Sequence, residues 1–129
     1  MLHEFRVRVY YEDTDMAGIV YHANYLKFIE RARSDWVRGM GIDQNALRDN
    51  EGVVFVIRRI EADFRASARF DDELTVTTRV QAVSGVRLTL HQEVRRAGEV
   101  VFSADVVLVS VTLDGQPVRL PEQLRRRVH

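Results

Sequence analysis

The chain has 129 residues, which fits one domain, and its 46% hydrophobic and 29% charged residues make an ordinary globular balance. Lys plus Arg equals Asp plus Glu at 19 each, so a protein built on basic excess to neutralise nucleic-acid phosphates is excluded. There is no cysteine, which excludes disulfides, thiolate metal sites and a cysteine nucleophile.

No apolar run is long enough to span a bilayer, and Met1 to Arg6 lacks the basic-then-apolar build of a secretory signal. A cytoplasmic protein is therefore expected. Phe5, Val7, Val9 and Tyr11 alternate with Arg6, Arg8 and Tyr10, the period of a half-buried strand over 5–11. An acidic loop, Glu12 to Gly18, follows. Tyr25, Ile29, Ala32, Trp36 and Met40 then recur at steps of three and four, widened by Leu26 and Phe28, and predict a helix with one broad apolar face. Asn24 reads as its N-cap, Gly39 and Gly41 as its stop, and Arg31 and Asp35 as an i,i+4 pair. Residues 42–52 read as a connection with a short helical turn near Gln44 to Leu47.

The remainder is strand-like. Val53 to Ile57 is β-rich, and Ile60, Ala62 and Phe64 alternate with polar neighbours. Two further alternating runs cover 74–81 and 86–95, and Ala97-Gly98 reads as a hairpin turn before a long run from Val100 to Leu113. Val106 to Val109 has no polar position, which predicts a strand covered on both faces. The helix covers one face, and a second subunit is the economical cover for the other. The order predicts an α+β fold, with one long helix against an antiparallel sheet. The tail carries Arg125, Arg126 and Arg127, a solvated run or a docking surface.

Several chemistries fail on spacing. There is no Gly-x-Ser-x-Gly elbow, no phosphate-binding loop and no dinucleotide fingerprint. His3, His22, His91 and His129 show no paired zinc spacing, and no metal or cofactor is expected. His91 reads as a surface or interface residue. A calcium loop through Asp13, Asp15 and Gly18 fails because Ala17 and Asn24 stand where ligands are required. Glu12 to His22 is then either a solvated turn or an active site. The second reading has a mechanism. Asp15 lies just before a helix whose first amides lack intrahelical partners and can hold a polarised carbonyl oxygen. A carboxylate on the other side of that carbonyl activates water or attacks directly. Gly18 lets the backbone approach without a side chain in the way.

The run Arg8-Val9, Thr14-Asp15-x-x-Gly18-Ile19-Val20-x-His22-x-x-Tyr25 resembles the signature of the 4-hydroxybenzoyl-CoA thioesterase family. Tyr11 to Asp15, Tyr21 to Leu26, Glu30 to Arg33, Val54 to Arg58 and Ala68 to Leu74 are most similar to its Tol–Pal-associated acyl-CoA thioesterase branch. Ser67 departs from the branch, where a proline is usual. The resemblance implies a hotdog fold, a five-stranded antiparallel sheet wrapped around one long central helix. It implies hydrolysis of acyl-CoA, and dimers pairing into tetramers with active sites at the dimer interface. It assigns Asp15 as base or nucleophile and the His22 amide as carbonyl polariser, with the His22 side chain and Tyr11 assisting. Gly18, Ile19, Val20 and Tyr25 are expected at the substrate. For Tyr11 the alternative is a packing residue at the strand end. Arg58, Arg59, Arg65 and Arg69 are candidates for coenzyme A phosphates, or solvated charge. An acyl-carrier-protein thioester is an alternative substrate, with Arg125 to Arg127 as its docking surface. A non-catalytic acyl-binding or envelope-assembly accessory protein is the competing function. A hydroxyacyl-thioester dehydratase is disfavoured because the His-Phe-Pro motif of such enzymes is absent.

Overall fold

The computed structural model describes residues 2–126. Arg127 and His129 lie outside the described residues. The element order is β1 (His3–Arg8), a 3₁₀ turn (Tyr11–Asp13), α1 (Asn24–Gly39), α2 (Gln44–Glu51), β2 (Val53–Phe64), β3 (Glu73–Val83), β4 (Arg87–Arg96), β5 (Glu99–Thr112) and α3 (Glu122–Arg125). The strands form one five-stranded sheet in the order β1-β3-β4-β5-β2, with every pairing antiparallel. The sheet curls around α1, giving the α+β hotdog architecture.

Helix α1 lies over β1, β3 and β4. The stripe predicted from the sequence makes this contact: Phe28, Ile29 and Ala32 are fully buried, together with Val76, Val94, Phe102 and Val106 of the sheet. Burying a Phe or Ile side chain stabilises by roughly 1.5–3 kcal/mol, so this face holds the helix in place. Trp36 and Val37 continue the stripe into a second cluster with Leu88, Leu90, Leu120 and Leu124. Leu26 does not belong to the stripe; it faces solvent.

One polar group sits inside the first layer. Gln92 is fully buried on the helix face of β4. Its Nε2 donates to the Ile29 carbonyl at 3.0 Å and to Thr78 Oγ1 at 2.9 Å, and its Oε1 accepts from Arg33 Nη1 at 3.0 Å. The side chain is satisfied and ties the middle of α1 to two central strands.

Several local expectations are corrected. Strand β1 ends at Arg8 rather than continuing to Tyr11. The Asp13 carboxylate, itself buried, accepts from the Tyr10 amide at 2.8 Å and winds 11–13 into the 3₁₀ turn. Asn24 is the first residue of α1, preceded by Ala23 at the cap, and its side chain is used elsewhere. Asp35 pairs with His3 at 2.9 Å and not with Arg31, whose guanidinium lies over the Phe28 ring. The turn near Gln44 extends to Glu51, because the Asp43 carboxylate caps the Ala46 amide at 3.1 Å and Gly52, at φ 67, closes the other end. The apolar runs on either side of Arg58 are one strand, β2, with a register shift between Ile57 and Arg59. The hairpin turn before β5 has Ala97 and Gly98 both at positive φ, as the twist of the flanking strands requires.

Among the described residues both sheet edges, β1 and β2, lack a further strand, and part of the outer sheet face is uncovered. Strand β2 is a sheet edge, with Val56 and Ile57 exposed along it. On the side away from α1, Val107 and Val109 of β5 are only half-buried.

Candidate active site

The segment 13–24 folds back on itself. Thr14 and Val20 form an antiparallel bridge, and the Asp15 amide donates to the Ile19 carbonyl at 2.9 Å. The Gly18 amide returns to the Asp15 carbonyl at 3.0 Å. Gly18 has φ +77, a conformation a side chain adopts only under strain, and open space lies where its Cβ would be. The turn therefore requires glycine for its backbone angle.

This small hairpin is anchored on both flanks. The Val20 amide donates to the Ala68 carbonyl at 2.8 Å, and Ile19 bridges to Arg69. The Asp13 carbonyl accepts from the Tyr21 amide at 2.9 Å and from Asn24 Nδ2 at 2.9 Å. Asn24 is buried, so its side chain clamps the acidic loop to the first turn of α1.

Asp15 is exposed at the tip. Its Oδ1 accepts from the Ala17 amide at 2.9 Å, which fixes the carboxylate relative to the turn. Among the described residues, Oδ2 has no partner. Seven residues on, the His22 and Ala23 amides precede α1 and are not engaged by any group among the described residues. They are the free donors that a helix start offers, aided by the helix dipole. The His22 side chain is also exposed; its ring packs against Tyr21 and, edge-on at 6.1 Å, against Phe64.

The remaining expected residues divide. Tyr11 is 79% exposed in the 3₁₀ turn beyond the end of β1, with its ring stacked on Phe70 at 4.4 Å between centroids. Ile19 is half-buried beside Arg69. Val20 and Tyr25 are core residues: Val20 packs inward, and Tyr25 is stacked on Phe102 at 5.0 Å. The Tyr25 hydroxyl accepts from the Ala68 amide at 3.2 Å. Burial pushes that hydroxyl's pKa up, against the opposing effect of the Ala68 bond, so it remains a neutral acceptor. In this arrangement Val20 and Tyr25 support the loop from beneath.

Of the four candidate arginines, Arg59 pairs with Glu61 at 2.9 Å and Arg65 with Asp63 at 3.2 Å. Arg58 and Arg69 make no ion pair among the described residues. His91 lies half-buried on the sheet face away from α1, Nδ1 at 2.7 Å from Asp105 and Nε2 at 3.1 Å from Glu93. No group of three or more His, Asp or Glu among the described residues is placed to hold a metal ion. Sequence reading did not single out the clamping role of Asn24 or the carboxylate of Asp13. The only signal was their position inside an otherwise recognisable motif.

The sequence profile of the thioesterase-like superfamily matches residues 9–128. The chain belongs to the thioesterase-like superfamily. It is similar to the acyl-CoA thioesterase YbgC of Haemophilus influenzae, 37% identical over 126 residues covering 97% of this chain and 93% of that protein. It is similar to the acyl-CoA thioester hydrolase YbgC of Escherichia coli O157:H7, 39% identical over 125 residues covering 95% and 92%. Among solved structures, a probable thioesterase from Bartonella henselae matches with TM-score 0.90 at 37% identity, covering 94% of this chain and 100% of that one. Membership in the thioesterase-like superfamily makes the chain an enzyme of the thioester-hydrolase class.

Proposed function

We propose that the chain hydrolyses acyl-coenzyme A thioesters, with Asp15 as the catalytic carboxylate. The observation that carries this is the pairing of an exposed carboxylate, one oxygen fixed by the Ala17 amide, with the unengaged His22 amide at the start of α1. The thioester carbonyl oxygen accepts from the His22 amide, which draws charge off the carbon and stabilises the oxyanion as it forms. Asp15 removes a proton from water as the water oxygen bonds to the carbonyl carbon. The C–S bond then breaks, and coenzyme A leaves as a thiolate that takes a proton. Direct attack by Asp15, giving an anhydride that water opens, uses the same residue in the same place.

Tyr11 and the His22 imidazole are assisting groups in this reading, since both are exposed on the same loop. Gly18 and Ile19 bring backbone to the substrate. The acyl-CoA relatives at 37–39% identity support the substrate class. Arg58 and Arg69, without ion pairs among the described residues, are the better candidates for the coenzyme A phosphates. A cytoplasmic location fits such a substrate, and no helix among the described residues is long and apolar enough to cross a membrane. The unpaired edge of β2 and the half-buried valines opposite α1 support self-association, with a tetramer built as a dimer of dimers.

A thiol-release assay across acyl-CoA chain lengths tests the reading. Free thiol is expected from the wild type. Binding of acyl-CoA without thiol release would favour the accessory-protein alternative. Faster release from an acyl-carrier-protein thioester would identify the carrier protein as the donor.

A further inference from the structure

Phe64 is the last residue of β2 and is 51% exposed, although it lies on the same sheet face as α1. The helix covers β1, β3 and β4 and leaves this end of β2 open. Beneath Phe64 the packing is rigid. Its ring meets Phe102, its cross-strand partner, at 5.0 Å and Tyr25 at 6.1 Å, both edge-on. Phe102 and Tyr25 are themselves buried and stacked. Just beyond Phe64 the chain is pinned, because the Arg65 and Ala66 amides both donate to the Val101 carbonyl, at 2.9 and 3.1 Å. On its other side the ring edge faces His22. An exposed phenylalanine held this firmly, with its neighbour Ala62 also open on the same face, is a small apolar shelf against the ring of His22.

We infer that Phe64 is a specificity-determining residue that receives the acyl group of the substrate. The inference rests on the thioesterase reading for its placement of the carbonyl. With the carbonyl oxygen on the His22 amide, the carbons extending from it for a few ångströms reach the shelf. The shelf offers carbon and no hydrogen-bonding atom. It suits a hydrocarbon chain or aromatic acyl group and not pantetheine, whose amides would lose hydrogen bonds to water there. Each methylene buried on it is worth roughly fourfold in affinity, so two or more give a preference above about tenfold.

Ketone analogues test this without hydrolysis. Binding of non-hydrolysable R–CO–CH2–S-coenzyme A with R ethyl, hexyl or benzyl, which keeps the carbonyl for the His22 amide, is measured by calorimetry on the wild type, Phe64→Ala and Phe64→Leu. The wild type is expected to bind the hexyl and benzyl analogues at least about tenfold more tightly than the ethyl one. Phe64→Ala is expected to lose most of that preference and keep ethyl binding within about twofold. Phe64→Leu, which keeps apolar bulk against Phe102, is expected to fall between. A preference that survives Phe64→Ala, or that the wild type never shows, overturns the inference. Thiol release from acyl-CoA by the same proteins reads the hydrolase function separately, so the two claims fail independently.

Discussion

Replacing Gln92 by Met keeps the length of the side chain and removes its hydrogen bonds. Two of the three lost bonds are neutral, to the Ile29 carbonyl and Thr78 Oγ1, and one is from the Arg33 guanidinium. Neutral bonds of this kind contribute about 1 kcal/mol each, and one to a charged group about 1.5–3 kcal/mol. Met recovers part of this by apolar burial. Thr78 recovers little because it is fully buried, and the half-buried Arg33 loses its one side-chain hydrogen-bond partner among the described residues. Burial already lowers the Arg33 pKa, with Glu30 acting in the opposite direction. A net loss of about 3 kcal/mol is expected. Urea unfolding followed by Trp36 fluorescence, with wild type and variant at one fixed concentration, measures it. A loss under about 1 kcal/mol would refute the claim that this buried network fixes α1 on the sheet.

Three further outcomes follow from the site and the outer sheet face. Asn24→Ala removes the clamp on the Asp13 carbonyl, so kcat is expected to fall about tenfold or more while KM changes little, measured by thiol release. An equal change in both constants would mark Asn24 as purely structural. Gly18→Ala forces a side chain onto φ +77 and is expected to cost about 1 kcal/mol in urea unfolding, with reduced turnover, although no atom obstructs the new methyl. For Glu93, burial raises the carboxyl pKa, but the bonds from Arg95 and His91 outweigh it and the net shift is downward. Its contribution to stability is therefore full above the ordinary carboxylate range and is lost as pH falls through the depressed value. Glu93→Gln should flatten the acid limb of a stability-versus-pH curve and leave the neutral plateau lower by about 1 kcal/mol or less.

The large elements were legible because their signals are periodic. The three-and-four spacing from Tyr25 to Met40 could only be buried against a sheet, and the alternation in β3 and β4 marks one face of each strand as apolar. Where the reading failed, a single side chain had overridden the pattern. Val9 and Tyr11 continue the alternation of β1, yet the Asp13 carboxylate captures the Tyr10 amide and ends the strand. Asn24 has the chemistry of a cap, but the Asp13 carbonyl is its partner. For α2, Asp43 and Gly52 stood at its two ends as ordinary start and stop residues, so its full length could have been read. For Asp15 and His22, spacing alone left their loop open between a solvated turn and an active site, and the family resemblance carried the catalytic reading. Phe64 was not legible, because alternation marks it only as an inward apolar residue. Its exposure follows from where α1 stops covering the sheet, a property of the assembled fold.

The central claim is that Asp15 does the chemistry. Asp15→Asn keeps the size of the side chain and an oxygen for the Ala17 amide, so the loop should hold its shape. Initial rates of thiol release from a short acyl-CoA, with mass and melting temperature matched to the wild type, test it most directly. A fall in kcat of at least about a hundredfold is predicted. Turnover within a few-fold of the wild type would contradict the account and move the catalytic group elsewhere on the protein.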